Sequence, residues 1–425
     1  MSEPGGNMTE AVGRMEPPAT SVSENRILVG VVMPGPRAGG VRQSAQGMLD
    51  DLLRAGFCVC VCTQEPEEPA SFPAGTLIVQ GPQTCSGVRR LVRYGLLAAG
   101  IQDGDGRAFE ARARATGVQV LVYPTPIACS PPREIPYAVV IPDLMHRYYP
   151  ELPEYRWPKP VARNIVYGRY ARDAAAVLVD ASQGADDVER FLHVPRSRCV
   201  VNPYLPPPSI YAMRNLTTAE ARAVTARFGL PKRFLFYPAQ LWAHKNHERL
   251  VEAIGLLKKQ DGIVAPLVCA GFADGTFSTQ AAKVRAKAKE LAVETQLHFT
   301  GYVTALELAG LYRLSLAMVF PSLLGPTNIP PLEGMVMGTP VLCSRLFGMP
   351  EQVGDAALLF DPFDPFDMAS AIRRVWDDDS LRRELVARGH TRLAEIMSHS
   401  PRRLFTRTIH EMLAVTMKSR VESLP

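Results

Sequence analysis

Four stretches of this 425-residue chain gather the residue types that hold anions or move protons. The first is Pro34-Gly35-Pro36-Arg37-Ala38-Gly39-Gly40, running into Val41-Arg42-Gln43. Gly39 and Gly40 lack Cβ atoms, so a ligand can approach the backbone closely where the N–H groups of a helix start point outward, with Arg42 beside them. No Gly-Lys-Ser/Thr follows and no full G-x-G-x-x-G is present, so a plain strand-to-helix turn is an equal reading. The second stretch is Tyr237 to His247, where Gln240, His244 and Lys245 separate an apolar run from a helical pattern. A Lys just before a helix can face a diphosphate as a point charge reinforced by the helix dipole. Taken alone, it reads equally well as a solvated lysine.

The third stretch, Pro321 to Pro340, contains Gly325, Thr327, Asn328, Ile329 and Glu333. Its prolines predict a stiff loop whose N–H groups are set toward a ligand before binding. Glu333 is expected in the first turn of a short helix over 332–337. There its carboxylate either accepts the two hydroxyls of a ribose or complements the helix dipole. The fourth stretch, Ile141 to Glu151, follows an apolar run and packs Asp143, His146, Arg147, Tyr148 and Tyr149 together. Such a density at a strand's carboxyl end marks a site candidate, with Arg147 and Glu151 reading equally as a surface ion pair.

These loops need strands and helices to hold them. Apolar runs at 27–33, 57–62, 76–80, 118–123, 137–141 and 176–179 alternate with helical patterns. After a proline-rich segment at 203–208 that suits neither a helix nor a central strand, the alternation restarts. It continues at 234–238, 267–270, 297–300, 317–320 and 340–343. Alternation of this kind predicts parallel sheets covered on both faces. The expected fold class is therefore α/β, with two Rossmann-like doubly wound domains facing a central cleft, where ligands bind at the carboxyl ends of the strands. The expected divisions are a disordered arm over 1–24, a first domain over 25–205, a second over 206–400 and a terminal helical segment over 401–425.

Composition narrows the classes. Apolar residues make up 47% and charged residues 21%, and the net charge is only +5, so no nucleic-acid partner is implied. The eight cysteines form no CxxC pair or zinc-ligand spacing; Cys58, Cys60 and Cys62 alternate with valines and are expected to pack on one strand face. With no apolar signal region and no run of membrane-span length, a reduced, cytoplasmic location is expected. Two basic clusters could meet anionic headgroups at a membrane face: Arg89, Arg90 and Arg93, and Lys283, Arg285, Lys287 and Lys289. A plain solvated face is the competing reading. Thirty-seven prolines, about 9% against a usual value of about 5%, are unusual for such a chain.

The second half resembles the GT-B glycosyltransferases, specifically the large retaining family 4. The resemblance runs through Phe234 to His247, Phe299-Thr300-Gly301-Tyr302-Val303, Leu311 to Ser322, Gly338-Thr339-Pro340-Val341 and Met349 to Pro362. In the first half, Asp143-Leu144 with His146-Arg147 and Pro150-Glu151 is similar to a bacterial subgroup acting on surface polysaccharides.

The resemblance implies transfer of a sugar from a nucleoside diphosphate sugar to a glycan or lipid-linked acceptor, without a metal or organic cofactor. It implies that Glu333 binds the ribose and that Lys245, helped by His244, neutralises the diphosphate. The backbone of Gly325, Thr327, Asn328 and Ile329 would meet the donor sugar and phosphate, and Tyr302 and Val303 would lie by the base. Gly39, Gly40 and Arg42 would approach the diphosphate or the acceptor, while Asp143 and His146 would serve on the sugar side. Three positions depart from the family pattern. Gly325 replaces the first glutamate of the Glu-x7-Glu motif, Gln240 the phosphate-loop arginine, and Pro142 the histidine of His-Asp-Leu. These departures leave open a second reading, a nucleotide-sugar-binding partner subunit that has lost catalysis. A third is another enzyme on this fold, such as a sugar-nucleotide epimerase or a phosphorylase.

Overall fold

The computed structural model describes residues 27–35, 40–65, 67–68, 71–73, 76–83, 85–155, 158–273, 275–398 and 401–422. Two parallel sheets dominate. The first contains β1 (Leu28–Met33), β2 (Cys58–Thr63), β3 (Leu77–Gln80), β4 (Val120–Tyr123), β5 (Tyr137–Val140), β6 (Ala176–Val179) and β7 (Cys199–Val201). Its order is β3-β2-β1-β4-β5-β6-β7. The second contains β8 (Leu235–Pro238), β9 (Leu267–Ala270), β10 (Leu297–Gly301), β11 (Ala317–Phe320), β12 (Val341–Ser344) and β13 (Ala357–Phe360). Its order is β10-β9-β8-β11-β12-β13. The expected pair of doubly wound α/β domains is present. In each sheet the winding reverses once, between β1 and β4 and between β8 and β11, and a crevice opens at such a reversal outside the strand ends.

The central strands are apolar and buried throughout because both faces of the sheet are covered. In β2, Val59 and Val61 enter one apolar layer with Val29, Val31 and Leu49, while Cys60 and Cys62 enter the opposite layer with Phe109 and Leu121. All eight cysteines are free thiols. Two edge strands, β7 and β13, were not anticipated from the sequence. β7 is three half-buried residues that give no alternation, and β13 lies inside an apolar stretch without β-branched residues.

One helix start differs in a way that matters. The helix expected over 332–337 runs from Ile329 to Val336, because Pro330 and Pro331 occupy its first turn, where a missing N–H breaks no intrahelical bond. Glu333 therefore lies in the second turn, not the first, and its expected role as a terminal dipole partner falls away.

The chain changes domain after β7. Helices Pro208–Ala212 and Thr218–Thr225 pack on helix Ala305–Leu314 of the second domain. The last helix, Pro401–Glu422, returns: Phe405, Ile409, Met412 and Leu413 are buried in the same layer as β1 and β4. Arg402 Nε meets Asp51 Oδ1 at 2.9 Å where it crosses. The arm expected over 1–24 lies outside the described residues. Among the described residues, no helix is long and apolar enough to cross a membrane.

Phe405, 1% exposed, is the principal wedge of the returning helix. Phe405→Ala is expected to cost about 3–5 kcal/mol in urea unfolding. A loss under ~1 kcal/mol would show that the returning helix is not part of the first domain's core.

Candidate functional site

The crevice of the second sheet is built from the loops after β8 and β11, and these are stitched together. The Leu323 amide donates to the His244 carbonyl at 2.8 Å. Asn246, buried and in the left-handed region (φ 62), donates from Nδ2 to the carbonyls of Pro321 at 3.2 Å and Pro362 at 2.7 Å. Asn tolerates that conformation at lower cost than a branched residue. The buried hydroxyl of Tyr237 donates to the Lys245 carbonyl at 2.6 Å. The backbone of 244 and 245 and the Asn246 side chain are thereby fixed from below.

Lys245 is the product of that fixation. Its half-buried ammonium lies 3.3 Å from Ser322 Oγ and 3.5 Å from Asn328 Oδ1, over the ring of Phe320. No carboxylate lies within ion-pair distance of it among the described residues. Burial alone pushes its pKa down to about 8. An ammonium in this state gains from an incoming anion what it has lost in hydration.

Glu333 lies in the helix that follows the β11 loop. It is 6% exposed, and its Oε2 accepts from the Tyr312 hydroxyl at 2.8 Å. Burial pushes the carboxyl up to about 7, against the lowering effect of that hydrogen bond. Near neutrality the group is divided between acceptor-only carboxylate and neutral acid.

The loop between them has a defined shape. Gly325 has φ 95, and a Cβ there would lie 2.9 Å from both Asn328 Nδ2 and the Thr327 carbonyl oxygen. In this turn a glutamate cannot be accommodated without rebuilding the loop, which is a physical reason for the departure from the two-glutamate motif. The amides of Thr327 and Asn328, expected to face a donor, are already engaged. Thr327 N donates to Asp180 Oδ2 at 3.0 Å and Asn328 N to Gln352 Oε1 at 3.1 Å. Ile329 is the first residue of the helix.

Gln240 does not replace a cation. Its Oε1 accepts from the Phe272 amide at 2.8 Å and so ties the β8 loop to the β9 loop. Gly271 permits this approach, since a Cβ there would lie 2.6 Å from the Ala239 carbonyl oxygen. Tyr302, 65% exposed, stacks on Phe272 with an interplanar angle of 19°, and Val303 packs half-buried against the second core. Phe272 was missed in the sequence, where nothing marks one aromatic in a loop as the partner of another 30 residues on.

In the first domain, Gly39 lies outside the described residues and Gly40 opens helix Gly40–Arg54. Arg42 is engaged: its guanidinium pairs with Glu67 and donates to the Pro34 carbonyl at 2.6 Å, so it pins the loop instead of standing ready for a ligand. Asp143 is also committed, to Arg163 at 2.8 Å and to the Met145 amide at 3.0 Å. His146 is 2% exposed, bonds Asn164 Oδ1 through Nε2 at 2.7 Å, and is pushed by burial down to about 4. These two groups brace a segment and present no ready acid or base. Residues 144–155 form a strap reaching the second domain, where Met145 and Tyr155 bury against Leu324, and Tyr148 meets Phe347 edge-on at 5.1 Å. Glu154 takes up the expected second cation: its Oε1 lies 2.9 Å from His244 Nδ1. Burial lowers the pKa of His244 against the raising effect of Glu154, so a neutral ring donates to the carboxylate. Asp180, Glu154, Asn246 and Glu351 are all absent from the sequence-derived site. Asp180 was accessible to the same logic as Asp143, being a carboxylate immediately after a strand.

Residues 222–392 match the model of the family described as Glycosyl transferases group 1. The O-antigen chain mannosyltransferase B of Escherichia coli is 29% identical over 240 residues, 56% of this chain and 60% of that protein. The Serotype-specific mannosyltransferase WbdA of Escherichia coli is 27% identical over 215 residues, 50% of this chain and 26% of that protein. The chain thus spans less than two thirds of these relatives. Among solved structures, sucrose-phosphate synthase from Thermosynechococcus elongatus superposes with a TM-score of 0.69 at 19% identity, covering 92% of this chain and 100% of that one. WaaG, a glycosyltransferase involved in lipopolysaccharide biosynthesis, gives 0.61 at 16% identity over 87% and 95%. The GT-B fold therefore extends over both domains, and the match to the Glycosyl transferases group 1 model lies in the second.

The state of Glu333 gives a pH test. Its folded pKa, about 7, lies above the ordinary value of 4.5, so the folded protein holds a proton that the unfolded chain releases. This contribution to stability is present at low pH and is lost as pH rises between those values. Melting temperatures of wild type and Glu333→Gln, taken across that window, are expected to diverge in favour of the variant as pH rises. Parallel profiles would show that Glu333 is hydrated.

Proposed function

We propose that the protein is a retaining glycosyltransferase. It moves a sugar from a nucleoside diphosphate sugar to a hydroxyl of a glycan or lipid-linked acceptor in surface-polysaccharide assembly. The observation that carries this reading is Lys245, an ammonium without a carboxylate partner among the described residues, at the winding reversal of the second sheet, with Ser322 and Asn328 facing it. A diphosphate supplies the missing anion. In the donor the bond from the anomeric carbon to the diphosphate oxygen breaks while positive charge grows on the sugar. Negative charge grows on the departing diphosphate, where the fixed ammonium stabilises it. The acceptor oxygen bonds the anomeric carbon from the leaving-group face, and its proton passes to a diphosphate oxygen. Asp143 and His146, both committed to structural partners, are not needed for that step. Glu333 lies within the same helix–loop unit and accepts ribose hydroxyls in its ionised form. The two Escherichia coli relatives, both named mannosyltransferases and one an O-antigen chain enzyme, support a mannosyl donor and a polysaccharide acceptor.

We also infer that the enzyme meets anionic bilayers through helix Gly87–Ala98. Val88, Leu91 and Val92 are 75%, 66% and 56% exposed there, flanked by exposed Arg89 and Arg90. Leu77 and Ile78 of the edge strand β3 are exposed as well. An apolar face with flanking cations suits a headgroup region carrying negative charge. Arg93 does not contribute, being paired with Asp105 and donating to the Gln83 carbonyl. The other basic cluster is less suited: Lys287 pairs with Glu290 and Glu252, and Arg285 lies over the ring of Phe299.

Calorimetry with GDP, UDP and ADP is expected to show binding of one of them, weakening as pH rises past about 8, where Lys245 loses its proton. Lys245→Gln is expected to weaken that binding by about 10- to 100-fold, the range for hydrogen bonds to a charged group. Incubation with a mannosyl nucleoside diphosphate and glycan acceptors is expected to release the nucleoside diphosphate; tight binding without release favours the catalytically silent partner. In sedimentation with phosphatidylglycerol vesicles, wild type is expected to pellet and Leu91→Asp to remain in solution. Equal partition of the two would remove the bilayer assignment.

A further inference from the structure

Beside the apolar seat of the strap on Leu324, the first domain makes polar contact with the donor loop at the end of β6. Asp180 immediately follows that strand and is 5% exposed. Its Oδ2 accepts from both the amide of Thr327, at 3.0 Å, and the Thr327 hydroxyl, at 2.5 Å. Two neighbouring contacts make the approach close. A Cβ on Gly348 would lie 2.6 Å from the Ala181 Cβ and 2.8 Å from the Pro326 carbonyl oxygen, so a larger residue at 348 would separate the domains. Glu351 accepts from the amide of Ser182 at 3.0 Å and from its hydroxyl at 3.1 Å, at the start of helix Ser182–Leu192.

Behind Thr327 the constraint continues inside the second domain. Gln352 holds both sides of Asn328, accepting from its amide at 3.1 Å and donating to its carbonyl at 2.9 Å. Asn328 in turn presents Oδ1 to Lys245. A continuous run of polar contacts therefore leads from the first domain, through Thr327 and Asn328, to the ammonium.

We propose that Asp180 is a positioning residue that sets the donor loop through Thr327 only while the domains are docked, so that the site around Lys245 is complete only in the closed molecule. This rests on the assignment of residues 325–329 to the donor. Asp180 touches no substrate in this scheme. It acts through Thr327, and opening the cleft releases the loop without altering any residue of the second domain.

Two variants separate this role from a general loss of structure. Asp180→Ala removes the acceptor. Gly348→Ala keeps Asp180 but inserts a methyl where the domains touch, at an ordinary backbone conformation (φ −80). Both are screened by circular dichroism for native melting. Hydrogen–deuterium exchange of the peptide containing 325–328 is expected to rise at least about tenfold in each, with scattering showing a larger radius of gyration for Gly348→Ala. Thr327→Val, which removes one of the two donors, is expected to give an intermediate rise, and Asp180→Asn, which keeps an acceptor oxygen, to restore most of the protection. In donor kinetics, Asp180→Ala and Thr327→Val are expected to raise KM by about tenfold and to be non-additive when combined, as coupled groups are. The proposal is overturned if Gly348→Ala expands the molecule while the loop keeps wild-type exchange, or if the two substitutions add independently. Failure of wild type to bind GDP, UDP or ADP would instead overturn the donor assignment, because the exchange and scattering measurements need no ligand.

Discussion

Lys245 Nζ stands 3.3 Å from Ser322 Oγ, over an aromatic ring, and no carboxylate lies in ion-pair reach among the described residues. A cation partly withdrawn from water and left unpaired destabilises the empty protein, as its lowered pKa records. The chain can hold it there because the cost is spread over a rigid floor. Tyr237 grips the Lys245 carbonyl, Asn246 adopts a left-handed conformation to bridge two loops, and the Leu323 amide closes onto His244. Each of these groups is buried or engaged, so the Lys245 backbone cannot shift without breaking several bonds at once, and Ser322, Asn328 and the Phe320 ring hold the ammonium itself. Such preorganisation favours the anion binding proposed above, since the ordering is complete before a ligand arrives.

The domain seam serves the same end from the other side. It mixes an apolar patch, formed by Met145, Tyr155 and Leu324, with polar contacts at its margin: Glu154 with His244, Asp180 with Thr327, and Glu351 with Ser182. The apolar part is small, so it holds the domains together without welding them. The polar contacts are directional and lie next to donor-loop residues, which makes them sensitive to small rotations of one domain against the other. A larger apolar seam would give a tighter closed state; a purely polar one would leave the strap over residues 144–155 without a seat.

The fold was legible in the sequence because apolar runs alternate with helical periodicity along most of the chain, and eleven of the strands lie within those runs or overrun them by one residue. Lys245 and Glu333 were legible as chemical types at strand-to-helix junctions. Their partners were not, for a common reason. Asn246, Asp180, Gln352 and Tyr312 act through contacts with segments distant in sequence, and no local pattern distinguishes a carboxylate that braces a loop from one that faces solvent. The same ambiguity runs in the opposite direction. Asp143, His146 and Arg42 have the residue types of a reactive cluster, yet Arg163 and Glu67 pair with Asp143 and Arg42, and Asn164 takes His146 Nε2, leaving only the buried Nδ1 of that ring without a partner among the described residues. Density of functional groups near a strand end identifies where polar chemistry is concentrated, and only the pairing shows whether it is catalytic or structural.

The proline excess gains a sharper meaning from an inventory of amides. Within 325–331, Pro326, Pro330 and Pro331 have no N–H at all, and the amides of Thr327 and Asn328 are bound to Asp180 and Gln352. The loop's remaining amides are those of Gly325 and Ile329. A helix start with two prolines in its first turn is well ordered but poor in donors, so the usual anion-binding capacity of a helix N-terminus is reduced. With Gln240 in place of a guanidinium and His244 given over to Glu154, the neutralising charge has few other sources. Stiffness at this loop thus comes at the expense of donor number, and the balance is restored by one ammonium held where no carboxylate among the described residues competes for it. On the proposed donor reading, that is why the arrangement of Lys245, more than the composition of the loop, governs how this cleft meets a diphosphate.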